Sequence, residues 1–118
     1  MSFIKTPLNR AEKAILEAEY ILIGAGAGLS AAAGIHYSGH DFEEAFADMI
    51  EKYRFTDLYS SSFYPFRTEE EKWAYWSRHI DFARFAPEGL PLYKKLLEMV
   101  QGKEYFVITT NVDGQFVK

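Results

Sequence analysis

Three glycines carry the strongest chemical signal in this chain. Gly24, Gly26 and Gly28 follow an apolar run at residues 20–23, and small residues that can start a helix run on to Gly34. A strand, a glycine turn and a helix start together bring backbone N–H groups up to a pyrophosphate. A Cβ in such a turn blocks close approach or forbids the tight bend. The spacing Gly26-x-Gly28-x-x-Ala31 fits the permitted G-x-G-x-x-A form, whereas Gly24-x-Gly26-x-x-Leu29 does not. The competing reading is a glycine turn that serves only chain reversal or tight helix packing. A second candidate is Thr109-Thr-Asn-Val-Asp113, at the end of the apolar run 105–109. Polar residues just past the carboxyl end of a parallel strand sit where open α/β sheets bind ligands. Asn111 can donate and accept, which suits a ribose hydroxyl or an attacking water, and Asp113 can accept from a carboxamide NH₂. An Asn/Asp turn leading into the next helix explains the same residues equally well.

Other constellations are weaker. His36 and His40 lie four apart beside Asp41, a metal-chelating spacing on a helix, but Gly34 and Gly39 argue against a helix there. The aromatic set Tyr53, Phe55, Tyr59, Phe63, Tyr64, Phe66, Trp73 and Trp76 could line a channel; core packing is the commoner fate. Glu69, Glu70 and Glu71 read as a helix start. There is no cysteine, which excludes a disulfide framework and a thiolate zinc site within these residues. Neither a G-x-S-x-G elbow nor a G-x-x-x-x-G-K-[ST] loop occurs. No metal site is expected.

The elements that must position these groups follow from periodicity. Asn9 is the expected N-cap of a first helix, with Glu12 completing a capping-box-like pair and Ala11, Ala14, Ile15 and Ala18 as its apolar stripe. Residues 20–23 form the first strand, apolar on both faces and so suited to a central parallel position. A short helix is expected from the glycine turn to about Ala33, then a loop over 35–41, then a helix capped by Asp41 that carries Phe42, Ala45, Phe46 and Met49. Residues 54–66 read as mostly irregular. Thr68 and Glu71 form a capping box for a helix whose buried face is Trp73, Trp76, Ile80 and Ala83, closed by Pro87. Residues 91–101 are helical with Gly102 as the stop, and residues 105–109 are the second strand.

This order is diagnostic. A standard dinucleotide-binding half places its second strand about 20 residues past the glycines. Here that position falls at 42–49, which has a helical pattern. An ordinary dehydrogenase is therefore disfavoured, and a methyltransferase with it. The fold class expected is α/β: a partial Rossmann-like parallel sheet flanked by helices, with a helical insertion between the glycine turn and the second strand.

With 118 residues, 48% hydrophobic, the chain suits one domain. A net charge of −4, a pI of about 5.4 and no basic run leave no nucleic-acid face. No apolar stretch approaches the roughly 20 residues that span a bilayer. The amino terminus lacks the apolar core of a signal peptide, and a cytoplasmic location is expected.

Taken together, the two motifs resemble those of the sirtuin family of NAD-dependent deacylases and ADP-ribosyltransferases. Gly26-Ala-Gly-Leu-Ser-Ala-Ala-Ala-Gly-Ile35 looks like the family's first NAD motif and Thr109-Thr-Asn-Val-Asp113 like its second, with Thr110 where Gln is usual. The resemblance implies NAD as cofactor, held by Gly26, Ala27, Gly28, Ser30, Gly34, Ile35 and Thr110. It implies that Asn111 and Asp113 do catalytic work, facing the nicotinamide ribose and carboxamide. Nicotinamide then leaves C1′ of the ribose, and a nucleophile on an acylated or ADP-ribose-accepting protein takes the ADP-ribosyl group. Where the family usually has Pro-Asp-Phe-Arg, this chain has His36-Tyr37-Ser38-Gly39, a change similar to the bacterial branch often encoded near macrodomains. Lys118 falls ahead of the family's catalytic His, its cysteine zinc module and its remaining strands, and His36, His40 and His79 all precede the second motif. The expectation is that residues 1–118 are the N-terminal portion of such an NAD-binding domain, truncated and inert alone. The alternative is a non-catalytic nucleotide-binding or interaction module. An unpaired sheet edge would favour self-association.

Overall fold

Residues 6–118 are described by the structure, a computed structural model. Two parallel strands form the sheet: β1 (Tyr20–Ala25) and β2 (Glu104–Thr109), in register from Tyr20 opposite Glu104 to Ala25 opposite Thr109. The long connection between them is helical, as a parallel pair requires. The expected α/β class, with its helical insertion, is the architecture found.

Helix α1 (Pro7–Glu17) starts three residues earlier than the Asn9 cap implies. Thr6 is the N-cap, its hydroxyl accepting from the Asn9 N–H at 3.2 Å, with Pro7 at the first helical position. Proline fits there because its fixed φ suits the helix and its missing N–H would have no intrahelical partner. At the other end Lys103 donates to the carbonyls of Leu16 and Ala18, 2.9 and 2.8 Å away, satisfying acceptors the helix leaves open. Helix α2 (Ala27–Ala33) stops at Gly34, whose φ of 112° is a left-handed conformation costly to a side chain.

The insertion holds α3 (His40–Ala45), α4 (Ala47–Tyr53), the single turn α5 (Leu58–Ser61) and α6 (Glu69–Ile80), which continues through a π-helical turn at Asp81–Phe85. Asp41 is not the cap of α3. Gly39, at φ 86°, turns the chain into it, and Asp41 lies in the first turn. The region expected to be irregular contains α5, whose N-cap Asp57 accepts from the Ser60 N–H at 2.8 Å. Thr68 caps α6 by accepting from the Glu71 N–H at 3.1 Å, while the Glu71 side chain reaches across to Lys52 at 2.9 Å.

The buried face of α6 is rotated from the expected one. Tyr75, His79 and Ala83 are buried, whereas Trp73 and Ile80 are exposed. The face turns because Phe42 and Phe46 present a stacked pair of rings, 5.1 Å apart, and Tyr75 is the ring that meets Phe46, at 5.9 Å. Phe55, Leu58 and Met49 complete this core, with Tyr53 and Phe66 packed against it. Half of the aromatic set, Tyr53, Phe55, Phe66 and Trp76, thus belongs to the core or packs against it, while Tyr59, Phe63, Tyr64 and Trp73 are exposed.

Inside this core Tyr75 Oη donates to the Leu58 carbonyl at 3.0 Å and meets His79 Nδ1 at 2.8 Å. Burial pushes the His79 pKa down. The unfolded chain takes up this proton near pH 6.5, and the folded chain takes it up only at lower pH. Between those values the unfolded state holds more protons, so stability falls as pH falls, by at most about 1.4 kcal/mol per unit. The urea midpoint is expected to drop between pH 7.5 and 5.5, above the carboxylate range, and to drop less in His79→Gln. An equal drop in the two proteins would show that the imidazole is not held neutral.

Helix α7 (Pro91–Val100) leads into β2 and lies against one sheet face, its Leu96, Leu97 and Val100 facing Ile23, Tyr105 and Val107 across a cavity of about 360 Å³. The opposite face, with Leu22 66% and Phe106 65% exposed, is covered by no other element among the described residues. Neither strand has a second neighbour among the described residues. The radius of gyration, 18.7 Å, exceeds the roughly 13–14 Å of a compact domain this long. Among the described residues no helix is long and apolar enough to cross a membrane.

Candidate functional site

The glycine turn and the polar loop after β2 lie side by side at the carboxyl ends of the two strands. Parallel register brings them together: Ala25 is opposite Thr109, and Thr109 Oγ1 donates to the Ala25 carbonyl at 2.8 Å. The same Oγ1 accepts from the Asn111 N–H at 3.0 Å and sets the bend of the loop. Asn111 Nδ2 then donates to the Gly26 carbonyl at 2.8 Å and to Ser30 Oγ at 3.2 Å. A carbonyl can only accept, so the amide nitrogen must face Gly26, which leaves Oδ1 as the free acceptor of Asn111.

Ser30 is the hub. It is fully buried in α2, and its hydroxyl donates to Asp113 Oδ2 in a short contact. With that proton committed, the 2.7 Å contact between Ser30 Oγ and Tyr93 Oη must have Tyr93 as donor. Ser30 therefore donates once and accepts twice, from Tyr93 and Asn111, which saturates a hydroxyl. Asp113, 1% exposed, also accepts from the Gln115 N–H at 3.1 Å through Oδ1. Gln115 in turn grips the entry to α7: its Oε1 accepts from the Leu90 N–H at 3.0 Å and its Nε2 donates to the Glu88 carbonyl at 2.9 Å. Burial first, then the nearby Asp113 and Tyr93, raise the Tyr37 pKa, so its phenol stays protonated.

Ser30→Ala is expected to cost about 3 kcal/mol of stability, because it leaves the buried Tyr93 hydroxyl and Asp113 Oδ2 without their Ser30 bonds and takes one of two bonds from Asn111. Urea denaturation measures it. A loss below about 1 kcal/mol would mean that these partners find substitutes.

Ser30, Asn111 and Asp113 thus meet, with the Gly26 carbonyl, in one cluster. Gly34 and Ile35 do other work: the Ile35 N–H donates to the Ser30 carbonyl at 2.8 Å, closing α2, and Ile35 is buried. Ala27 and Thr110 are exposed. His36 and His40 are also exposed, His40 lies 3.6 Å from Glu44, and no group of metal-ligating side chains forms among the described residues. Tyr93 and Gln115 are hydrogen-bonded into the cluster, which the motifs do not reveal. A hydroxyl on the otherwise apolar buried face of α7 was the available signal for Tyr93.

The glycines allow a test of whether a nucleotide fits. None of Gly24, Gly26 and Gly28 has a positive φ, so backbone conformation does not demand glycine. A Cβ built at any of them meets no protein atom within 4 Å, so internal packing does not demand it either. At Gly26 and Gly28 a Cβ would fill open space beside the turn, where a pyrophosphate would approach, whereas Gly24 lies within β1. The amides of Ala27 and Gly28, in the first turn of α2, have no intrahelical acceptor. The residues present fit the phosphates of a dinucleotide such as NAD.

Fold and site define a partial Rossmann-like α/β unit with a glycine turn and a polar post-strand loop at one end of a parallel pair. The chain matches no protein-family model. It is 45% identical over 103 residues to a protein of Staphylococcus aureus (strain Mu50) named Protein ADP-ribosyltransferase, covering 87% of this chain and 33% of that protein. It is 35% identical over 115 residues to a Fusarium oxysporum f. sp. cubense protein named Probable bifunctional ADP-ribose hydrolase/ADP-ribosyltransferase, covering 93% of this chain and 19% of that protein. The chain therefore spans about a third and about a fifth of the relatives it matches.

Proposed function

We propose that this chain forms the phosphate- and ribose-binding part of an NAD-dependent protein ADP-ribosyltransferase of sirtuin-like construction. The observation that carries the reading is the set of three glycines required by neither backbone conformation nor packing, beside the hydrogen-bonded Asn111–Asp113 loop. The names of the two relatives support transfer over the deacylation that the sirtuin resemblance also allows. NAD, when bound, supplies the ADP-ribosyl group and nicotinamide as its leaving group. The glycine turn admits the pyrophosphate to backbone N–H groups. Asn111, its amide nitrogen held by Gly26 and Ser30, offers Oδ1 to a ribose hydroxyl or to an incoming nucleophile. Asp113, anchored by Ser30 and Gln115, fixes the loop beneath the reacting ribose and nicotinamide. The acceptor is a protein side chain, the setting is cytoplasmic, and the bare sheet edges favour self-association.

Calorimetric titration with NAD, ADP-ribose and S-adenosylmethionine tests the reading. Saturable binding of NAD and ADP-ribose, with none of S-adenosylmethionine, is expected. A folded protein that takes up none of the three would overturn it. Nicotinamide release, assayed beside the titration, separates an enzyme from a non-catalytic nucleotide-binding module.

A further inference from the structure

We infer that Arg84 is a positioning residue for the nucleotide site: its guanidinium holds the loop over residues 111–114 against the end of the helical insertion, and so fixes where Asn111 and Asp113 stand. What the loop grips rests on the NAD reading; the hold itself is a property of the nucleotide-free chain.

Two contacts of different kinds define the hold. Arg84 Nη1 donates to the carbonyl of Val112, the residue between Asn111 and Asp113, at 3.1 Å. The guanidinium also lies flat over Gly114. A Cβ built there would stand 3.0 Å from Cζ, 3.0 Å from Nη1 and 3.3 Å from Nη2, above the plane of the group and not at its edge. Of the eight glycines in the chain, only Gly114 is so placed that a Cβ would press on another group. Its φ of 68° favours glycine as well. A lysine could supply the donor but not the flat cover.

Arg84 forms no ion pair among the described residues, so its charge is spent on this loop and not on a carboxylate. It reaches the loop from the π-helical turn at Asp81–Phe85, which the Ala86 N–H closes on the Asp81 carbonyl at 2.7 Å. Such a turn holds one residue more than an α-turn and re-aims the side chains it carries. Here Ala83 is buried in the core and Arg84 meets the loop.

The loop's other bonds show why this one matters. Asn111 is anchored to Gly26 and Ser30, and Asp113 to Ser30 and Gln115. Val112 is 60% exposed, and Arg84 is what holds its carbonyl. Once that carbonyl is released, the peptide between Val112 and Asp113 can rotate. The loop must then be ordered at the moment a nucleotide binds, which lowers affinity.

The test compares the full chain with Arg84→Ala, Arg84→Lys, Gly114→Ala and the Arg84→Ala/Gly114→Ala double variant. Without nucleotide, amide hydrogen exchange read by NMR should be about tenfold faster in Arg84→Ala at Asn111 and Gln115, whose amides are bonded within the loop, and unchanged in β1 and β2. NAD and ADP-ribose should bind Arg84→Ala about tenfold more weakly, while the urea midpoint of this exposed position barely moves. Arg84→Lys, which keeps a donor, should fall between. Gly114→Ala should loosen the loop and weaken binding in the parent chain but much less in Arg84→Ala, where the guanidinium its methyl strikes is gone. Equal exchange in the parent and Arg84→Ala, or strictly additive effects of the two substitutions, would overturn the hold. Equal affinity despite a loosened loop would overturn the positioning role. A parent chain that binds no nucleotide would defeat the NAD reading instead, and the exchange rates would still decide whether Arg84 holds the loop.

Discussion

Gly28→Val is expected to weaken NAD and ADP-ribose binding at least 100-fold, about 2.8 kcal/mol, without loss of helix. The two halves of this expectation have separate causes. Gly28 lies in α2 with a negative φ, and a Cβ there meets no protein atom within 4 Å, so the folded chain has room for the side chain. Valine is also a better helix former than glycine by a few tenths of a kcal/mol, so stability should hold or rise slightly. The space the isopropyl group enters is the space through which a pyrophosphate would reach the turn, and contact with backbone N–H groups tolerates no such obstruction. Calorimetry measures the affinity, and circular dichroism with a urea midpoint measures the fold. Affinity within threefold of the parent chain would remove the glycine turn from the nucleotide site.

Phe46→Ala is expected to have the largest effect on stability, a loss of about 3–5 kcal/mol. Phe46 has no exposed surface and is the ring around which the insertion is built. Phe42 lies 5.1 Å away, Phe82 5.7 Å and Tyr75 5.9 Å, and the Arg78 guanidinium sits 5.7 Å over its face. Phe46 also stands at the break between α3 and α4, so the cavity left by alanine opens at the joint of two helices. A loss of this size is a large part of a typical domain's stability of about 5–15 kcal/mol, and the insertion should unfold at a much lower urea concentration. Phe46→Leu should keep roughly half the stability that alanine forfeits, since it retains much of the buried volume. A loss under about 1.5 kcal/mol for alanine would mean that α3 and α4 close over the gap.

The local elements were legible because their causes are local. The apolar runs, the Thr68 cap, the stop at Gly34 and the helical insertion depend on residues within a few positions of one another, and they occur where composition and spacing place them. The glycine turn was legible for the same reason. The errors at Asn9 and Asp41 are also local: two candidate caps lay within three residues, and Pro7 and the left-handed Gly39 outweighed the side-chain signal.

Other features depend on residues far apart in the chain. The face that α6 buries was set by Phe42 and Phe46, some 30 residues earlier, and no periodicity within the helix encodes that choice. The Ser30 hub joins positions 63 and 83 residues apart, so neither motif could show that Tyr93 belongs to it or that Asp113 is buried. The hydrogen bonds of Tyr75 to the Leu58 carbonyl and to His79 likewise exist only once folding brings the three together. Chain-local chemistry chose the elements and the residue types of the site. Burial and long-range hydrogen bonding, which exist only once the elements pack, chose which atoms remain free to act.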